Sequence, residues 1–202
     1  MLIKAFFLLI CLSSFLNACQ KVEHHLGANR FEDISLETGL NFEHTSGVEG
    51  QYLLPEIMGS GGALFDFDND GDLDIYLVNG GYREANQEGS ANKLFQRNTD
   101  GSYQDVSQTV GLDDKGSGMG SALGDFDNDG DLDIYVSNVD DDRLYSNNAD
   151  GTFSDVSKSA GIQGHRWSSS ATFCDIDDDG FLDLYVATYV TQEPAQACAD
   201  AS

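Results

Sequence analysis

The chain has 202 residues, with 10 basic against 35 acidic side chains and a formal net charge of −25. That balance excludes nucleic acid as a partner, because holding phosphates requires a basic face. Fifteen of the acids crowd into three short loops; carboxylates ~4 Å apart repel by ~1 kcal/mol in water and ~4 kcal/mol at an effective dielectric of 20, so each loop is unfavourable until a divalent cation fills it.

Residues 1–18 read as an export signal. Lys4 supplies the positive start, Ala5 to Leu16 an apolar stretch too short to span a bilayer, and Leu16-Asn17-Ala18-Cys19 places a small residue before a cysteine. The last four residues resemble the lipobox of bacterial lipoproteins, which implies that Cys19 becomes the lipidated first residue of the mature chain. Gln20, by the rule for Gram-negative lipoproteins, then implies the outer membrane or cell surface. Ordinary signal-peptidase cleavage nearby is the alternative, and either route exports the chain to where Ca²⁺ is plentiful and disulfides form. Residues 19–30 are expected to be a polar tether, with His24 and His25 as surface residues.

The folded part is expected from residue 31 to 202. Phe31-Glu32-Asp33-Ile34-Ser35 has the pattern of Tyr103-Gln104-Asp105-Val106-Ser107 and Phe153-Ser154-Asp155-Val156-Ser157 and is read as an outer, closing strand. Next comes the small-residue run Gly59-Ser60-Gly61-Gly62-Ala63, which allows strands to crowd together, and then DFDNDGDLDIYLVN at 66–79. Asp66, Asp68, Asp70 and Asp74 take positions 1, 3, 5 and 9 of a loop turned at Gly71, while Asp72 at position 7 offers its backbone carbonyl. An all-oxygen set in a flexible loop suits Ca²⁺, whereas Zn²⁺ calls for His and Cys.

An EF-hand loop begins in the same way but closes with Glu at position 12 between helices. Position 12 here is Leu77, Val136 or Val186, inside β-branched and aromatic runs that read as strands, so the loop joins two strands and the position-9 aspartate closes it. The second copy, DFDNDGDLDIYVSN at 125–138, brings Asp125, Asp127, Asp129, Asp131 and Asp133 around Gly130. The third, DIDDDGFLDLYVAT at 175–188, brings Asp175, Asp177, Asp179 and Asp183 around Gly180, with the Phe181 carbonyl at position 7. About three Ca²⁺ sites follow, at 66–74, 125–133 and 175–183.

After the first loop the spacing predicts strands over 61–65, 73–78, 93–97 and 102–106, with the set repeated from 120. Asp100-Gly101 and Asp150-Gly151 supply the hairpin turns between the last two strands of each set. Leu64, Ile75, Leu77, Leu94 and Phe95 are expected to face neighbouring units. Four strands recurring at about 50 residues mark a β-propeller. The first period is longer because of an insertion in the Gly80–Asn92 loop. The third loop is followed by Thr191 to Ser202 without a hairpin, so the expectation is an all-β, incomplete propeller: two full blades, part of a third and a closing strand. A truncated chain is the first explanation, and an open stack pairing with another copy the second.

The loops resemble the FG-GAP or VCBS repeats of integrin-type propellers. The phrase RLYSNNADGTFSDVSKSAGI at 143–162 is similar to bacterial relatives of the cartilage acidic proteins. The resemblance covers roughly residues 30–190 and implies a propeller, often of seven blades, with Ca²⁺ in the inter-strand loop of many of them. It implies no catalytic activity.

Other chemistry is sparse. Ser60 lacks the glycine spacing of a nucleophile elbow, and the sequence places no His–Asp pair beside it. Tyr76, Tyr135 and Tyr185 recur at one repeat position, which argues for packing. His44 and His165 look isolated; His165-Arg166-Trp167 falls where the chain enters an inner strand, where a tryptophan either packs at a blade junction or stacks on a planar ligand. Pairing of Cys174 with Cys198 stays open. Two functions remain: a lipid-anchored Ca²⁺-binding propeller that presents its faces to a protein or glycan without being an enzyme, or the propeller part of a larger exported lyase or hydrolase.

Overall fold

The computed structural model describes residues 31–45, 57–80, 91–162 and 166–191. The segment expected to be an export signal, Cys19, His24, His25, most of the 80–92 insertion, His165 and Cys198 lie outside the described residues. The chain divides into two units, Met1–Asp33 and Ile34–Ser202. In the first unit only 31–33 are described, and they are not in a strand.

The second unit opens with a single helical turn, α1 (Ser35–Thr38), and continues with β1 (Gly62–Phe65), β2 (Asp74–Leu77), β3 (Lys93–Arg97) and β4 (Tyr103–Asp105). A second helical turn, α2 (Ser107–Val110), leads into β5 (Gly118–Gly124), β6 (Asp133–Asn138), β7 (Arg143–Asn147) and β8 (Phe153–Asp155). The hairpin β9 (Arg166–Cys174) and β10 (Asp183–Thr191) completes the described elements. β1 to β4 form one antiparallel sheet in sequence order, β5 to β8 a second, and β9 pairs β10. These are two blades of a β-propeller and the inner hairpin of a third, and among the described residues the sheets do not close into a ring.

Strand bounds agree with the sequence reading to within one or two residues. The turns were anticipated too: Gly101 and Gly151 take φ of 85° and 80°, left-handed values that glycine adopts without steric cost. At 31–35 the structure differs. Residues 31–34 form no strand, and Ser35 begins α1, which Gly39 closes at φ 83°. The likeness to 103–107 and 153–157 is real but lies in the turn that follows the outer strand, since α2 ends in the same way at Gly111 with φ 88°. A strand needs a neighbour to take its backbone hydrogen bonds. A Cβ on Gly39 would come within 2.8 Å of the Tyr103 carbonyl oxygen, and one on Gly111 within 3.0 Å of the Phe153 carbonyl oxygen, so each turn abuts the outer strand of the next blade.

Alternation along the strands sorts side chains to two faces. In the first blade Ala63, Tyr76 and Leu94 lie in one row, and Leu64, Ile75 and Phe95 in the next. The first row joins Phe65, Phe67 and Val78 against Ile134, Val136, Tyr145 and Phe153 of the second blade, with Val110 and Leu112 from the connection between them. The expected set of neighbour-facing residues therefore mixed both faces: only Leu94 enters this core. Leu64 is 62% exposed, Ile75 and Leu77 are half-buried, and Phe95 is buried outside the cluster. A smaller cluster of Met119, Val139 and Trp167 joins the second and third blades.

Small residues admit the close approach of inner strands. The Gly61 N–H donates to the Met119 carbonyl at 3.1 Å, and the Gly118 N–H to the Asn79 carbonyl at 3.0 Å. A Cβ on Gly124 would stand 2.7 Å from the Phe173 ring.

Candidate metal centres

Each inter-strand loop folds around its first aspartate. Asp66 accepts from the Asp70 and Gly71 amides at 3.0 and 2.8 Å, Asp125 from Asp129 and Gly130 at 3.0 Å each, and Asp175 from Asp179 and Gly180 at 3.1 and 2.9 Å. The position-5 aspartates bind two residues on: Asp70, Asp129 and Asp179 accept from the amides of Asp72, Asp131 and Phe181 at 2.8, 2.9 and 2.8 Å. Gly71, Gly130 and Gly180 turn the chain at φ of 91°, 98° and 89°, as the sequence required. Asn69, Asn128 and Asp178 also sit in the left-handed region, at φ of 58° to 60°. Asn and Asp tolerate it better than other side chains.

Position 9 is a buried anchor in the first two loops, at Asp74 and Asp133, whereas Asp183 of the third is exposed. Asp74 accepts from the Phe67 amide at 3.2 Å and the Arg97 amide at 2.8 Å, and Asp133 from the Phe126 and Asn147 amides at 2.9 Å each. Asp183 accepts from the Ile176 amide at 3.0 Å. Burial pushes Asp133 up to about 6, against the pull of those two amides and with a further push from Asp127 and Asp129. Asp74 is raised by the same causes, and Asp127 by burial and by Asp129. Asp74 and Asp133 hold protons more tightly than free aspartate because they are buried beside other acids, and Asp127, though exposed, shifts the same way through partial desolvation next to Asp129 and Asp125.

Carboxylate oxygens converge to within 4.8 Å of one another in three groups: Asp66 with Asp68 and Asp70, Asp125 with Asp127 and Asp133, and Asp175 with Asp177 and Asp183. Of the expected ligands, Asp74, Asp129 and Asp179 stay outside these triplets, engaged with backbone amides of their own loops and strands. Asp72 forms an ion pair with Arg97, and Asp131 accepts from Asn69 at 2.5 Å. In the first loop Asp68 accepts from Gln96 at 2.6 Å through Oδ2, while its buried Oδ1 has no hydrogen-bond partner. A buried anionic acceptor left unpaired costs the full desolvation of that atom, and a cation relieves it.

Polar contacts beyond the loops were not legible in the sequence. His44 Nε2 lies 3.1 Å from Ser60 Oγ, and that hydroxyl donates to the Gly118 carbonyl at 2.6 Å. Its proton is thus committed to a backbone acceptor, and the contact straps the segment before the first blade to the inner strands. Trp167 is buried and meets the Tyr189 ring at a tilt of 52° with centroids 5.2 Å apart, so it packs at the blade junction. Tyr76 and Tyr135 are fully buried, as expected of packing residues, but Tyr185 is 63% exposed because no described blade follows it. Among the described residues Cys174 is an exposed free thiol.

Four-stranded blades, each carrying an acidic turn that can hold a metal ion between its first two strands, define a metal-loop β-propeller. The profile of the FG-GAP-like repeat family matches residues 66–136 and 125–186, more than half of the sequence, and the chain belongs to that family. It is also similar to Cartilage acidic protein 1 of Homo sapiens, 36% identical over 77 residues, and to its Mus musculus counterpart, 35% identical over 77 residues. Each match takes in 36% of this chain but 11% of the relative's length.

Proposed function

We propose that the chain is an exported Ca²⁺-binding propeller module, held at the cell envelope by lipid on Cys19, that presents its blade faces to a protein or glycan. The observation that carries the metal reading is the recurrence of one loop geometry three times, with converging carboxylates in each and an unpaired buried oxygen at Asp68. The donor set is oxygen throughout, which fits a hard cation taking six to eight ligands from a flexible loop. Asp66, Asp68 and Asp70 in the first loop, Asp125, Asp127 and Asp133 in the second, and Asp175, Asp177 and Asp183 in the third would hold it, with the carbonyls of Asp72, Asp131 and Phe181 as neutral donors. Bound Ca²⁺ supplies the positive charge that offsets five clustered acids per loop, and the stiffened loops then hold the strands they join.

The expected gain is measurable. At a free Ca²⁺ concentration ten times the dissociation constant, each site adds ~1.4 kcal/mol by mass action, so three independent sites add ~4 kcal/mol. Calorimetric melting in Ca²⁺, in Mg²⁺ and in chelator should give the highest Tm in Ca²⁺, with Mg²⁺ a poor substitute because it demands tight octahedral geometry and gives up water reluctantly. Three superimposable curves would reduce the loops to acidic turns.

The envelope location is supported by Lys4, the apolar stretch and Leu16–Cys19, together with a family whose repeats occur in surface proteins. Among the described residues no helix is long and apolar enough to cross a membrane. Several acyl chains hold a protein on a bilayer where one chain is marginal. Cys19→Ala should therefore move the protein from the membrane fraction to the soluble one, and a wild type already soluble would refute the anchor.

A further inference from the structure

The three loops are joined side to side by one residue of the repeat. Asn69, at position 4 of the first loop, donates through Nδ2 to Oδ1 of Asp131 in the second loop at 2.5 Å. Asn128, at position 4 of the second loop, donates through Nδ2 to the Gly180 carbonyl of the third at 2.9 Å. Both asparagines share the same left-handed backbone, at φ of 58° and 60°. In each case the donor stands between two acids of its own loop, Asp68 and Asp70 or Asp127 and Asp129, and the acceptor lies at position 7 or 6 of the next.

Resting on the calcium reading above, we propose that Asn69 and Asn128 are positioning residues that couple the loops, so that filling one raises the affinity of the next. The acceptors explain how. Asp131 is held by its amide, which donates to Asp129 at 2.9 Å, and by its side chain, which accepts from Asn69. Its carbonyl remains as the neutral ligand. In the third loop the peptide between Gly180 and Phe181 is held at both ends, its carbonyl by Asn128 and its amide by Asp179 at 2.8 Å, just before the Phe181 carbonyl. A cation that fixes Asp68 and Asp70 fixes Asn69 between them, and the ordering of the next loop's position 7 is then already made when a second cation arrives.

The sign separates this coupling from plain electrostatics. A cation in one loop lowers the negative potential at its neighbour, so through-space coupling weakens the second binding event, and it is screened beyond about 8 Å at physiological salt. Coupling through the asparagines strengthens it, and linkage makes the effect reciprocal. One hydrogen bond of ordinary net strength supports about a fivefold change in affinity.

The test is Ca²⁺ titration of the ¹⁵N-labelled full chain in physiological salt, with the Gly71, Gly130 and Gly180 amide signals reporting each loop separately. Asp66→Asn, which keeps an acceptor for the loop amides while weakening the first site, should reduce second-loop affinity about fivefold. Asn69→Gly keeps the left-handed backbone and removes the donor; alone it should produce a similar loss at the second loop, and in its background Asp66→Asn should have no further effect there. A second-loop isotherm unchanged or tightened by Asp66→Asn, or indifferent to Asn69→Gly, overturns the coupling and leaves the calcium reading intact. If no glycine signal responds to Ca²⁺, the calcium reading falls and the coupling with it.

Discussion

Asp142 shows how one buried side chain closes a blade. Its carboxylate accepts from the Tyr135 hydroxyl and the Ser168 hydroxyl, each at 2.6 Å, and from the Asn138 amide at 2.7 Å. It thereby ties the second strand of its own blade to the inner strand of the next. Asn92 occupies the same repeat position in the first blade, accepting from the Asn79 amide at 2.7 Å and donating to the Tyr76 hydroxyl at 2.9 Å. An amide thus serves where an acid does, because tyrosine and serine hydroxyls can rotate to accept. Asp142→Asn should cost under about 1 kcal/mol and Asp142→Ala about 3 kcal/mol, since alanine strands three buried donors. Urea denaturation of both variants decides it, and equal losses would mean that the network adds nothing. Backbone proximity sets the companion case: a Cβ on Gly118 would collide with Val78 and lie 2.8 Å from the Asn79 carbonyl, whereas one on Gly59 would meet nothing within 4 Å. Gly118→Ala should lose about 1–3 kcal/mol by overpacking, and Gly59→Ala close to none.

The loop with its two strands is the element on which stability and proton binding meet. Asp133 holds its proton up to about 6 in the folded chain, against an ordinary 3.8, because it is buried among other acids. A carboxyl whose pKa is raised by folding takes up protons preferentially in the native state, so acidification from pH 7 through 6 stabilises the fold. Asp74 and Asp127 act in the same direction. Asp100, lowered by Ser102, and Asp105, lowered by Lys93 and Ser107 against partial desolvation, contribute stability that is lost only below pH about 4. In chelator, then, Tm should rise between pH 7.5 and pH 5. In saturating Ca²⁺ the trend should flatten or reverse, because protons compete with the cation for the same oxygens. A chelated protein that melts lower at pH 5 would contradict the burial of Asp74 and Asp133.

Across the whole second unit, cohesion comes from faces of successive blades meeting. Leu123, Ile134 and Val136 pack against the first blade, while their repeat counterparts Leu64, Ile75 and Leu77 have no described blade before them. Equivalent substitutions should therefore differ: Ile134→Ala about 3 kcal/mol, within the usual 2–5 for a large-to-small core change, and Ile75→Ala about 1 kcal/mol. Denaturation midpoints of the two variants give the comparison, and equal losses would mean that the blades are stable singly and do not need each other.

The strands, the hairpins at Asp100-Gly101 and Asp150-Gly151, and the turns at Gly71, Gly130 and Gly180 were all legible in the chain, because local chemistry governs them. Alternating apolar residues, left-handed glycines and evenly spaced aspartates act within ten residues of one another. Three repetitions turned a weak local signal into an architecture. What the chain alone left open depends on neighbours distant in sequence. Residues 31–35 carry an outer-strand pattern yet form no strand, and Leu64 and Leu94 look alike although one is exposed and the other buried. Likewise Asp142 reaching Ser168, Ser60 reaching Gly118 and Asn69 reaching the next loop are set by how blades stack. Burial and hydrogen bonding are satisfied by whichever group arrives from across the fold, and only the tertiary structure says which group that is.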